Sequence, residues 1–98
     1  RLYSEALVTK FVGKFLSDQS FQLLDSSLRS GNYDEAFRAA HTLKGVTQNL
    51  SFTRLFHSSH EITEALRTKD YDLALKLLPQ VTADYDQTAA AIHAFQAG

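Results

Sequence analysis

The stretch SGNYDEAFRAAHTLKGVTQNL (residues 30–50) decides the fold. Gly31 reads as a helix stop and Asn32 as the next N-cap, with Glu35 three residues on to complete a capping box. From about Tyr33 to about Asn49, the residues Ala36, Ala39, Ala40, Leu43 and Val46 fall on one side of a helix, and Leu50 continues the stripe. The Asn49–Leu50–Ser51 step breaks the pattern, and Ser51 is the expected cap of the following helix.

The same period extends outward in both directions. Residues 3–16 place Leu7, Phe11 and Phe15 on one side, and residues 18–29 repeat this with Phe21, Leu24 and Leu28. Beyond the break, a helix over about 52–68 carries Phe52, Leu55, Phe56, Ile62 and Leu66 on one face. Asp70 caps a last helix with Ala74, Leu77, Leu78, Val81, Tyr85, Ile92 and Phe95 on one stripe. Pro79 lies inside it, lacks an amide donor, and should kink the helix or open a new one. No stretch alternates as a strand does. The expected fold is all-α: an antiparallel four-helix bundle with a short additional N-terminal helix, forming one domain over residues 1–98.

Composition agrees. Ninety-eight residues suffice for one core, and four glycines and one proline are too few for a small β-sandwich. A net charge of −1 leaves no basic excess to neutralise a phosphate backbone, which argues against nucleic acid as a partner. No apolar run approaches the roughly 18 residues a membrane span needs. Cysteine is absent, which removes disulfides and thiolate metal sites. A first residue of Arg and no Met anywhere suggest a piece of a longer protein.

The polar face of the central helix holds the chemistry. Measured from His41, Lys44 falls at about −60°, Gly45 at about +40° and Gln48 at about −20°. His41 therefore faces solvent, with an ammonium one turn on, a bare backbone beside it and an amide two turns on. Neutral imidazole is a nucleophile, and a phosphoryl group on it adds negative charge and three strong acceptors. Lys44 can meet that charge and Gln48 lies within reach of it, while Gly45 leaves room for a second protein. The competing view of Gly45 as a helix C-cap conflicts with the stripe continuing through Val46 and Leu50. Phe37, one turn before His41, either folds against the neighbouring helix or docks a partner.

AHTLKG (40–45) resembles the Ala-His-x-x-Lys-Gly signature of histidine-containing phosphotransfer domains. The likeness reaches nearly the whole chain, from RLYSEALVTKFVGKFL through NLSFTRLFHSSHEITEALRTKDYDLALKLLPQV. It implies that His41 is phosphorylated, Lys44 supports the phosphate and Gly45 gives access. Ser51 stands where the family usually has Gly. Thr63 stands where many members carry a Gln or Glu that hydrogen-bonds the active histidine. His60, one turn earlier, is the alternative second partner, as in the chemotaxis-kinase branch.

The resemblance implies a phosphocarrier that exchanges phosphate with receiver-domain aspartates, or receives it from a histidine kinase. No Gly-rich nucleotide loop or magnesium-binding Asp/Asn set is present, so kinase activity of its own is not expected. No cofactor is expected either, since the receiver would supply Mg2+. The expected location is cytoplasmic, compatible with a place inside a membrane-anchored sensor kinase.

Two other classes deserve a test. SGNYDEAF (30–37) resembles TKDYDLAL (68–75), as in tetratricopeptide-like interaction modules. The offset is 38 residues rather than about 34, however, and the repeat's Trp and Pro signposts are missing. The better expectation is two helix starts built by one cap-plus-aromatic device. His57, His60, Glu61 and Glu64 could ligate zinc, but their spacing is not H-E-x-x-H and no third ligand stands out, so no metal is expected.

Overall fold

The computed structural model describes residues 13–49 and 52–97. Residues 13–17 are helical and lead into four helices: α1 (Ser20–Arg29), α2 (Tyr33–Asn49), α3 (Thr53–Arg67) and α4 (Tyr71–Ala97). No strand occurs among the described residues. Each helix packs on the next across a three-residue connection, which forces neighbours to run antiparallel. Leu7, Phe11, Leu50, Ser51 and the side chain of Phe95 lie outside the described residues.

The expected stripes form the core. Ala36, Ala39, Ala40 and Leu43 of α2 are buried with Leu24 and Leu28 of α1, Leu55, Ile62 and Leu66 of α3, and Ala74, Leu78 and Val81 of α4. Thr47 joins them fully buried, because its hydroxyl donates to the carbonyls of Leu43 and Lys44 at 3.0 and 2.9 Å and so carries its own partner inside. Phe15 closes one end edge-on to Phe52, with ring centroids 5.1 Å apart, and also packs on Tyr85.

The opposite end holds the two similar sequences, which build the same turn twice. After α1, the Gly31 amide bonds the Leu28 carbonyl and the Asn32 amide bonds that of Ser27. After α3, Lys69 bonds Leu66 and Asp70 bonds Ala65 in the same pattern. Each turn needs a left-handed residue, Gly31 at φ 80° and Lys69 at φ 61°. Asn32 and Asp70 then cap the next helices through the amides of Glu35 and Leu73. The following tyrosines, Tyr33 and Tyr71, stack with centroids 3.8 Å apart. The two hairpins therefore close on each other.

Three local expectations are corrected. The reciprocal half of the capping box does not form, because the Glu35 carboxylate accepts from Arg38 at 2.6 Å instead. The N-cap of α3 is Phe52, with no side-chain cap bond, one residue later than Ser51. Pro79 does not open a new helix, the second of its two expected outcomes, since α4 runs through it. Pro79 and Leu75, whose carbonyl loses its donor, both lie on the exposed side of the helix.

Candidate functional site

His41 sits at the middle of α2, exposed, with the buried face of the helix behind it. Gly45 and Gln48 are exposed on the same side, and Lys44 is half-buried beside them. Gly45 lies inside the helix and is not among the residues with positive φ, which removes the C-cap reading. A Cβ added there would meet nothing within 4 Å. The backbone next to the imidazole is thus open to whatever approaches.

Phe37 leans under the imidazole, their ring centroids 6.3 Å apart and 24° from parallel. Side chains on a helix tilt toward its N-terminus, which carries His41 over the turn holding Phe37. Phe37 is half-buried and packs against the core, so the expectation that it folds onto the neighbouring helix accounts for its inner side. Its outer rim remains beside His41. On the α1 side, an open groove of about 590 Å³ is lined by Leu23, Ser26, Glu35, Arg38, Ala39 and Thr42. Leu23 is 41% exposed there.

The α3 side departs from the sequence expectation. Thr63 is fully buried, and its hydroxyl donates to the Ser59 carbonyl of its own helix at 2.6 Å. It faces the core and does not bond the imidazole, so the role of partner to His41 is corrected for this residue. His60 is half-buried, stacks on Phe56, and keeps Nδ1 without a hydrogen-bond partner among the described residues. His57 is exposed and meets Phe56 edge-on, ring centroids 5.6 Å apart. No group of three His, Asp or Glu that could hold a metal ion occurs among the described residues.

Beside the Phe37 end of the His41 face, α3 presents Arg67, paired with Glu64. The Arg67 guanidinium lies 5.2 Å from the centroid of Phe37, and its Nε donates to Glu64 at 3.0 Å. That hydrogen bond holds the Glu64 carboxyl below the usual carboxylate range, against a smaller opposing effect of burial. The charges of Arg67, His60 and Lys44 add to the lowering. The sequence reading passed over Arg67; its only signal was position, one turn past Thr63 and Glu64 on the helix that returns beside His41.

The face as a whole is an exposed nucleophile flanked by Lys44, Arg38 and Arg67, with an apolar floor and a gap at Gly45. That set suits holding and handing over a phosphoryl anion. No helix of the described residues is long and apolar enough to cross a membrane. No curated protein and no solved structure matches the chain. The family model of the Hpt domain, however, matches residues 14–91, from the helical stretch holding Phe15 to the last third of α4. The chain belongs to the Hpt domain family, the histidine phosphocarriers of two-component phosphorelays.

Proposed function

We propose that His41 is the phosphorylated residue and that it exchanges its phosphoryl group with aspartates of response-regulator receiver domains. The observation that supports this most is the placement of His41: exposed in mid-helix, beside a glycine whose surroundings are empty. A glycine there costs the helix stability, which makes sense if another protein must approach the backbone.

The transfer balances simply. A lone pair on the imidazole forms the P–N bond while the P–O bond to the receiver aspartate breaks, and the electron pair leaves with the carboxylate. The proton on the other ring nitrogen stays on the ring or passes to water. Return transfer reverses these steps. Lys44 supplies a compact charge to the phosphoryl oxygens and Gln48 an amide donor. His60 on the neighbouring helix is the remaining candidate for a hydrogen-bond partner to the imidazole, its Nδ1 having no partner among the described residues. The outer rim of Phe37 and the Leu23 groove receive the partner. In this reading the domain has no kinase activity of its own, and the receiver brings the Mg2+ that its acyl phosphate requires.

The test uses a receiver carrying labelled phosphate. Label that appears on this chain and vanishes in His41→Gln, with the helical circular dichroism unchanged, is the expected result. Label that persists in His41→Gln overturns the assignment.

A further inference from the structure

We propose that Arg67 is a second cation for the phosphoryl group on His41, held in reserve by Glu64 and Phe37 until the phosphate arrives. This rests on the phosphocarrier reading and names the residue that completes its site. A phosphoryl group presents three strong acceptor oxygens and up to two charges. Lys44 is a single point charge and leaves much of that unmatched. An arginine fork can engage two oxygens at once.

The geometry brings Arg67 to the right place. Its Cζ lies 5.2 Å from the Phe37 centroid, and that ring lies 6.3 Å from the imidazole. Cζ is therefore no farther than 11.5 Å from the imidazole centroid. A phosphoryl group on the ring shortens the gap, and rotation about the arginine side-chain bonds closes it. What holds Arg67 meanwhile is weak. The side chains of Arg67 and Glu64 are 49% and 43% exposed, so water screens the pair. The guanidinium lies against Phe37, on the side of α3 that faces α2.

The experiment charges the full chain with phosphoramidate and follows the 31P shift of the phosphohistidine as pH is varied. A cation in contact with the phosphoryl group lowers its ionisation, which a merely structural residue does not do. An exposed charge pair corresponds to about a two- to fivefold change in equilibrium. Arg67→Gln is accordingly expected to raise the apparent phosphoryl pKa by about 0.3–0.7 units, with Arg67→Lys in between. Glu64→Gln is expected to lower it, and that lowering should shrink in the double variant. Both single variants break the same ion pair, so a structural role would move them in the same direction. A shift in Arg67→Gln no larger than in Arg38→Gln, the cation on the other flank, would overturn the proposal. So would a Glu64→Gln effect that survives intact without Arg67. Wild-type protein that takes no phosphoryl group on His41 would instead refute the phosphocarrier reading itself, and the proposal with it.

Discussion

Replacing Gly45 sets stability against function in one residue. The glycine is inside α2, on the exposed face, and a Cβ there touches nothing within 4 Å. Alanine at such a position gains about 0.5–1 kcal/mol, because the unfolded chain loses freedom and the helix loses a weak point. For a domain of this size that corresponds to a rise in Tm of about 2–8 °C. Gly45→Gln should also fold at least as well as the wild type, since glutamine is a better helix former than glycine. Its side chain, however, would stand beside the imidazole where a receiver has to dock. The assay is thermal melting by circular dichroism together with transfer from a phosphorylated receiver, on the same two variants. A raised Tm in both with a slow rate in Gly45→Gln is expected. A Tm below wild type in Gly45→Ala would refute the structural argument, and a full transfer rate in Gly45→Gln would refute the access argument.

Lys44→Ala should slow phosphorylation of His41 while leaving Tm nearly unchanged, because a partly exposed lysine contributes little to folding; stopped transfer assays and melting curves check both halves. Lys69→Gly should stabilise the domain by up to about 1 kcal/mol, since glycine takes φ 61° without strain, and Gly31→Ala should destabilise it by a similar amount at φ 80°; neither should alter transfer. Leu43→Ala, in contrast, removes a side chain that is 1% exposed, and should cost about 2–5 kcal/mol in denaturant unfolding. Glu64 has its folded pKa depressed, so its small contribution is present above the unfolded carboxylate value and fades as pH falls through the folded one; Glu64→Gln should remove that slope from the acid limb of the melting profile.

Much of this architecture was legible before any coordinates. The helical period marked the buried faces of all four helices, because each stripe has only one way to leave water, and the Gly31 stop with the Asn32 cap marked where α2 begins. The turns were legible where the residue type states the backbone, as Gly31 and the caps Asn32 and Asp70 do. They were not where type and conformation disagree: nothing about a lysine announces the left-handed geometry of Lys69. At Pro79 the residue type left two outcomes, a kink or a new start, and only the continuous α4 removes the second. At the site, the face of His41, Lys44, Gly45 and Gln48 follows from angular position on one helix. What lies across from it depends on the rotation of α3 about its own axis. A small change in that rotation turns Thr63 into the core and brings Glu64 and Arg67 to the surface. A one-dimensional reading has no access to that angle.

The central claim is that the phosphoryl group sits on His41, and mapping the modified residue tests it most directly. The chain is charged by a phosphorylated receiver, digested under alkaline conditions that preserve phosphohistidine, and its peptides are weighed. The account predicts one acid-labile phosphoryl group, on the peptide that contains His41. A group found on a peptide carrying His57, His60 or His93, or one that survives acid, would contradict it.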